Sequence, residues 1–90
     1  MNNAEKNTIS ILYFASLGEQ LNCSDEQLAL PKPELPLSEL KVLLASRGDA
    51  WQRLANDTNL LCAINQTITH ENVSLKAGDE LAFLPPVTGG

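Results

Sequence analysis

The residues best suited to chemistry stand at the C-terminal end of the sequence, which reads Leu84-Pro85-Pro86-Val87-Thr88-Gly89-Gly90. Prolines cannot donate to a strand ladder, so we expect the last strand to stop there and the end to project as an extended tail. Two side-chain-free glycines make its tip narrow. No charged side chain occurs after Glu80 in the sequence, so we expect the ionised α-carboxylate of Gly90 to be the reactive group.

A carboxylate is a poor acylating group, because oxide or hydroxide is a poor leaving group. Any reaction at the carboxylate of Gly90 must therefore begin with activation, typically adenylation by ATP. We expect a second enzyme to supply that step, since the rest of the sequence contains no nucleophile elbow, phosphate loop or paired metal ligands.

The other candidate groups favour structural roles. Cys23 and Cys62 are too far apart for a CxxC site and have no adjacent basic residue, and Cys62 is interpreted as a small buried hydrophobe. His70 is the single histidine and is predicted to lie in a surface loop. Asp79 and Glu80 would point to opposite faces of a strand, so we interpret them as turn and strand-start residues.

Composition limits the class of protein. The chain has 90 residues, 43% of them hydrophobic and 19% charged, as expected for one folded domain. A formal net charge of −5 argues against binding to nucleic-acid phosphates and favours basic protein partners. No run approaches the roughly 20 apolar residues needed to span a bilayer, and the N-terminus lacks a signal peptide's apolar stretch. A cytoplasmic location is expected.

The first half of the chain contains the pattern of a strand, a helix and a second strand before the main helix. Alternation predicts a first strand over Thr8–Phe14, and the main helix is predicted over 37–47, ended by Gly48. Its apolar face is assigned to Leu37, Leu40, Val42, Leu43 and Leu44. Between them we predict a short helix over 15–21, a strand over 27–30 and an unpaired proline-rich loop over 31–36.

The second half is mainly strand-like after a short helical stretch over 50–55, in which Trp51 is predicted to serve packing. Strands are predicted over 60–64, 67–69 and 80–84, with turns at Asn65-Gln66 and 77–79 and a loop after residue 69. This order predicts an α+β domain in which a helix covers one face of a sheet. The sequence pattern leaves the strand order open.

Several of these segments resemble the small, sulfur-carrier subunits of molybdopterin synthase. The resemblance includes Tyr13-Phe14-Ala15, the helix around Leu40 and Leu44, Asn65-Gln66, the Gly78-Asp79-Glu80 turn and the Pro-Pro-Val-Thr-Gly-Gly ending. It implies a ubiquitin-like β-grasp fold with the first and last strands parallel at the sheet centre. It also divides the chain into a domain over 1–84 and a tail over 85–90.

The resemblance further implies a function for the tail. A ubiquitin-activating-like enzyme would use ATP to adenylate Gly90, which then becomes a thiocarboxylate. Pro85, Pro86, Val87, Thr88 and Gly89 would enter a pocket of the large subunit, where the sulfur passes to the pterin precursor of the molybdenum cofactor. The chain would be a non-catalytic carrier that binds no metal or cofactor, in a heterotetramer of two small and two large subunits. We expect Phe83 and Leu84 to contact the partner.

Two positions depart from the family pattern, and three other functions remain open. Gly18 stands where many relatives have Arg, which puts any partner contact of that side chain in doubt, and Leu84 stands where an aromatic residue is common. The alternatives are sulfur delivery to another pathway such as thiamine synthesis, a ubiquitin-like modifier that forms amide bonds with lysines, and an interaction module with an inert tail.

Overall fold

A computed structural model describes residues 7–85, which form seven strands and three helices. The elements are β1 (Thr8–Tyr13), α1 (Ser16–Leu21), β2 (Asp25–Ala29), β3 (Glu34–Pro36), α2 (Leu37–Ala45), a 3₁₀ turn (Asp49–Trp51), α3 (Arg53–Asn56), β4 (Leu61–Ile64), β5 (Thr67–Thr69), β6 (Ser74–Lys76) and β7 (Glu80–Leu84). Among these residues, no helix has the length and apolar character required to cross a membrane.

Five strands form one sheet in the order β2-β1-β7-β4-β5. β1 and β7 are parallel, and the other neighbouring pairs are antiparallel. The predicted α+β class is confirmed, as is the parallel pairing of the first and last strands at the sheet centre. The strand that leads into the tail is therefore hydrogen-bonded on both sides.

The core lies between this sheet and α2. Ile9, Ile11 and Tyr13 alternate along β1 as buried residues, and they share one apolar cluster with three leucines of α2. These are Leu37, Leu40 and Leu44.

Two residues assigned to the apolar face of α2 do not belong to it. Val42 is 64% exposed and Leu43 is 37% exposed, whereas Leu40 and Leu44 are fully buried. A helix rotates by about 100° per residue, so positions 40 and 44 share a face from which position 42 points away. The prediction was wrong because a run of apolar residues was read as one face.

The proline-rich segment is also more ordered than expected. Glu34–Pro36 forms β3 and pairs with β6. The sequence pattern predicted loops at both of these strands. Leu35 lies opposite Leu75, and both side chains are buried. Pro36 stands at the end of β3, where its missing N–H interrupts little of the ladder. Burial of this leucine pair therefore explains a strand pairing between segments that look irregular in the sequence.

The predicted helix around Gly18 forms over Ser16–Leu21 and packs closely on β1. A Cβ atom added at Gly18 would lie 2.7 Å from the backbone oxygen of Tyr13, which is closer than real contacts allow. Any larger residue at Gly18, including arginine, therefore requires a shift of the backbone. The glycine allows this close approach of α1 and β1.

Candidate functional site

The predicted functional tail lies mostly outside the described residues. This applies to Gly90, the residue expected to be modified, and to Pro86, Val87, Thr88 and Gly89. Pro85 is described and is half-buried directly after β7. The division into a domain over 1–84 and a tail over 85–90 stays a prediction, and the observable part of the site is the strand that leads to the tail.

The two residues predicted to contact a partner differ in exposure. Phe83 is 0% exposed and belongs to the core, so its side chain is unavailable for direct contact in this conformation. Side chains alternate along β7, so Phe83 points inward with Leu81, and its expected contact with a partner stays a prediction. Leu84 points the other way and is half-buried, and its contact with a partner stays a prediction.

The start of β7 is fixed by a compact set of hydrogen bonds around Asp79 and Asn65. Asn65 Nδ2 donates to Asp79 Oδ1 at 3.1 Å, and the backbone N–H of Lys76 donates to Asp79 Oδ2 at 3.0 Å. The N–H of Glu80 donates to Asn65 Oδ1 at 2.9 Å, and the N–H of Asn65 donates back to the Glu80 carbonyl at 2.8 Å. The Asp79 side chain thus joins two turns that are distant in sequence.

Turn geometry explains the residue types at this end of β7. Asn65 and Gly78 have positive φ angles of 51° and 88°, values that favour asparagine and glycine, and Gln66 shares the left-handed region at 73° without such a preference. Both predicted turns are confirmed, and Asp79 acts as a turn residue as expected. Burial is the largest influence on the pKa of Asp79 and raises it, but the hydrogen bonds from Lys76 and Asn65 and the Lys76 charge together lower it below its usual value.

The end of β7 is held by aromatic contacts instead. The ring of Tyr13 stacks on Phe83 with centroids 5.8 Å apart and an interplanar angle of 3°. Trp51 packs edge to face against Tyr13, with ring centroids 5.5 Å apart and an interplanar angle of 85°. The predicted packing role of Trp51 is confirmed by these contacts and by its position against the core.

A buried hydroxyl and an ion pair complete this arrangement. The hydroxyl of Tyr13 donates to Glu26 Oε2 at 2.7 Å, and Arg47 donates to both oxygens of Glu26 at 2.7 and 2.9 Å. The guanidinium of Arg47 also lies 4.6 Å from the centroid of the Trp51 ring. We call these four residues the Glu26 cluster: Tyr13, Glu26, Arg47 and Trp51.

The contacts within the Glu26 cluster shift the titration of its members. Hydrogen bonds from Arg47, followed by the one from Tyr13, hold the pKa of Glu26 below its usual value despite partial burial. Burial and the bond to Glu26 raise the pKa of Tyr13 far above its usual range. At neutral pH, Glu26 is therefore an anion and Tyr13 a neutral donor.

Sequence reasoning missed this cluster because its members are far apart in the chain. Glu26 and Arg47 are separated by 21 residues, and neither belongs to a recognisable motif. Glu26 lies in a strand of alternating exposure, where an inward-facing carboxylate looks like an ordinary surface residue. Only its pairing opposite Ile11 places its side chain on the inner side of the sheet.

The outer face of the sheet carries a continuous apolar row. Cross-strand pairing aligns Leu12 with Ala82, Ala82 with Ala63, and Ala63 with Ile68. Leu61 pairs with Leu84 next to this row, on the side where the chain leaves the sheet. We call these six residues the open face: Leu12, Leu61, Ala63, Ile68, Ala82 and Leu84. They point away from α2; Ile68 is 51% exposed, whereas Ala63 and Ala82 are only 7% and 5% exposed.

The described residues offer little chemistry of their own. No three His, Cys, Asp or Glu side chains within 7–85 come together as a metal site. Burial raises the pKa of Cys62, which is 4% exposed as predicted for a small core residue, and also that of Cys23. Both thiols are therefore protonated at neutral pH. His70 is exposed outside helices and strands, as predicted.

Sequence comparison links nearly the whole chain to one family. The model of the ThiS family matches residues 11–90. The molybdopterin synthase sulfur carrier subunit of Escherichia coli is 37% identical over 82 residues, covering 91% of this chain and 99% of that protein. Its counterpart in Haemophilus influenzae is 37% identical over 83 residues, with 91% and 99% coverage.

Solved structures establish the fold. A putative molybdopterin converting factor subunit 1 from Pyrococcus furiosus superimposes with a TM-score of 0.73 at 21% identity, covering 89% of this chain and 98% of that chain. Small archaeal modifier protein 1 from Haloferax volcanii gives 0.69 at 19% identity, with 89% and 98% coverage.

A third solved structure is a chain from the complex of subunits 1 and 2 of the molybdopterin-converting factor from Helicobacter pylori. It has a TM-score of 0.65 at 23% identity, covering 92% of this chain and 99% of that chain. The protein therefore belongs to the ThiS family, has the ubiquitin-like β-grasp fold, and counts molybdopterin synthase sulfur carrier subunits among its relatives.

Proposed function

We propose that this chain is the sulfur carrier subunit of a molybdopterin synthase and that Gly90 bears the sulfur. The observation that carries the proposal is the 37% identity, over 91% of the chain, to a protein of that name. The chain itself is a non-catalytic carrier, and the reaction pocket belongs to a large subunit, with two copies of each in a heterotetramer. We expect it to act in the cytoplasm.

The chemistry requires an activated carboxyl group. An adenylating enzyme transfers AMP from ATP to the α-carboxylate of Gly90 and releases pyrophosphate. A sulfur nucleophile at the oxidation level of sulfide then displaces AMP, which leaves a thiocarboxylate. The thiocarboxylate sulfur is a stronger nucleophile than the carboxylate oxygen: it attacks a carbon of the pterin precursor, an oxygen leaving group departs, and a thioester to Gly90 forms. Water then cleaves the bond between the Gly90 carbonyl and the sulfur, which leaves a thiol on the pterin and restores the carboxylate. Attachment to the chain keeps the sulfur from diffusing away as sulfide.

The position of β7 supports delivery of the tail to a partner. β7 is paired with both β1 and β4 along Leu81–Phe83 and with β4 alone at Leu84, so the chain leaves the sheet from a paired strand. Pro85 follows and has no N–H with which to continue the ladder. The described part of the chain thus ends directly after a paired strand, and we expect the residues beyond it to enter a pocket on another protein.

The open face is the surface that we assign to the large subunit. It is apolar, it adjoins the exit of the chain at Leu84, and Phe14 beside it is 45% exposed. Interfaces commonly have an apolar centre with a polar rim, and Asp25 pairs with Leu12 at the margin of this row. The solved complex of subunits 1 and 2 from Helicobacter pylori supports a partner of this kind.

Intact-mass analysis tests the modification directly. The chain is incubated with an adenylating enzyme, ATP and a sulfur donor, and is then mapped by peptide mass. We expect an AMP adduct and then replacement of one oxygen by sulfur at Gly90. Sulfur found on Cys23 or Cys62 instead would indicate a persulfide carrier and would contradict the proposal.

Shortening the tail tests its role in transfer. Deleting Gly90 withdraws the carboxylate by about 3.3 Å, comparable to the reacting distance of about 3–3.5 Å. We expect molybdopterin formation to be abolished with unchanged melting. Gly89→Leu should also block the reaction by widening the tail, whereas Thr88→Ser is the mild control. Full activity of a chain ending at Gly89 would refute the assignment.

The same preparations separate the alternatives. Amide-linked conjugates on lysines of other proteins would indicate a modifier, and transfer of sulfur into a thiazole but not a pterin would indicate the thiamine pathway. Unchanged partner binding and pathway output after removal of both terminal glycines would indicate an interaction module.

A further inference from the structure

The direction in which the chain leaves the sheet depends on the last residues of β7. Among the described residues, Phe83 is the last one that is fully buried, and its carbonyl accepts the backbone N–H of Phe14 at 3.1 Å. Leu84 is half-buried, and Pro85 cannot donate a hydrogen bond. The side chain of Phe83, this backbone bond and the pairing of Leu84 with Leu61 on β4 therefore set the starting direction of the tail.

Phe83 is positioned in turn by the Glu26 cluster. Tyr13 covers the Phe83 ring in a nearly parallel stack, and the hydroxyl of Tyr13 is fixed by Glu26. Glu26 is itself fixed by two bonds from Arg47. The guanidinium of Arg47 packs on Trp51, whose edge returns to Tyr13. The four residues form a closed ring of contacts that restricts the ring plane of Tyr13.

This ring is poorly explained as a device for stability alone. The side chains of Glu26 and Arg47 retain 19% and 31% of their exposure, and partly exposed ion pairs add little to the free energy of folding. Turning a carboxylate toward the inner side of a sheet also carries a desolvation cost that an apolar residue would avoid. A charged, bidentate contact does supply a defined geometry for the groups that it joins.

We propose that Glu26 is a positioning residue for sulfur transfer: through Tyr13 it fixes Phe83 and thereby the direction in which the tail leaves β7. This inference rests on the proposed carrier function. A tail that starts in a fixed direction loses less freedom on entering a partner's pocket, and small misplacements of reacting groups slow reactions strongly. Glu26 acts through Tyr13 and does not touch the reacting atoms.

Hydrogen exchange tests the positioning without reference to sulfur chemistry. The two ends of the β1–β7 ladder have comparable backbone bonds, from Phe14 N–H to Phe83 at 3.1 Å and from Ser10 N–H to Asp79 at 3.0 Å. Two variants weaken the cluster: Tyr13→Phe, which removes only the hydroxyl, and Glu26→Gln. In both, exchange of the Phe14 amide should accelerate about tenfold relative to exchange of the Ser10 amide, because losing a hydrogen bond to a charged group usually has an effect of this order.

A matched control comes from another ion pair. Arg53 and Asp57, four residues apart in the chain, are joined at 3.0 Å, and neither belongs to the Glu26 cluster. Asp57→Asn should leave the ratio of Phe14 to Ser10 exchange unchanged. If Tyr13→Phe and Glu26→Gln leave this ratio unchanged as well, or speed both amides equally, the cluster does not fix the end of β7 and the inference is wrong.

The functional readout uses chains already loaded as thiocarboxylates and mixed with the large subunit. Both cluster variants should lower the single-turnover rate of sulfur transfer severalfold with little change in the Kd of the complex, because the open face is intact. Transfer at the wild-type rate would overturn the positioning role. Failure of the loaded wild-type chain to transfer sulfur would instead refute the proposed function, while the exchange ratio would still report on Phe83.

Discussion

The two ends of β7 are held by different kinds of interaction. At the start, Asp79 and Asn65 form hydrogen bonds between two tight turns. At the end, Tyr13 stacks on Phe83. The first arrangement fixes backbone groups directly, whereas the second fixes one side chain against another.

This difference separates what anchors the strand from what orients the tail. Hydrogen bonds at the start of β7 satisfy buried polar groups and determine where the strand begins. The aromatic stack at the end buries the rings of Tyr13 and Phe83, which are 3% and 0% exposed, next to the exit. We therefore expect substitutions at the end of β7 to lower the free energy of unfolding more. Substitutions at the start should mainly disturb the local backbone geometry.

The largest effect on stability is expected from Phe83→Ala. Loss of a fully buried ring should lower the free energy of unfolding by about 3–5 kcal/mol, measured by urea denaturation. The neighbouring Leu84→Ala is the control, because its half-buried side chain leaves a smaller void, and about 1 kcal/mol is expected. Equal losses in the two variants would contradict the assignment of Phe83 to the core.

A smaller effect is expected at the other end from Asn65→Ala. This change removes both side-chain hydrogen bonds and places alanine at a φ of 51°, so a loss of about 2–3 kcal/mol is expected. Asn65→Gly retains the backbone freedom and isolates the cost of the hydrogen bonds. If the glycine variant is as stable as the wild type, the hydrogen bonds do not anchor β7.

Acid should weaken both ends. The pKa values of Glu26 and Asp79 are lowered by folding from ordinary values of 4.5 and 3.8, so each carboxylate stabilises the native state above its ordinary pKa. That contribution is lost as the pH falls through the lower, folded value. Glu26→Gln and Asp79→Asn should each lose less stability than wild type between neutral pH and about pH 3, in urea titrations. If a variant loses as much free energy of unfolding on acidification as the wild type, the carboxylate that it lacks does not contribute to the acid sensitivity.

The smallest effect on stability is expected on the open face beside β7. Ile68→Ser alters an exposed side chain, so the free energy of unfolding should change by no more than about 0.5 kcal/mol, while affinity for the large subunit should fall. Val42→Ser is the matched control, because Val42 is exposed on α2. If calorimetry gives equal affinities for the two variants, the open face is not part of the interface with the large subunit.

The sequence determined those parts of the protein that depend on neighbouring residues. Alternation predicted β1, and the turn residues Asn65, Gln66 and Gly78 predicted both tight turns, because period and backbone preference are local properties. The ending at Gly90 indicated the candidate chemistry for the same reason, since prolines, glycines and a lone carboxylate have their properties wherever they stand.

Only the tertiary structure decided which segments meet. It paired β3 with β6, turned Val42 away from the core, buried Phe83 and brought Glu26 to Arg47. Each of these outcomes depends on contacts between residues distant in the chain, and burial of Leu35 against Leu75 outweighed the irregular local pattern of their segments. Local preferences amount to fractions of a kcal/mol per residue, whereas burying a leucine contributes about 1.5–3 kcal/mol, so packing made the final choice.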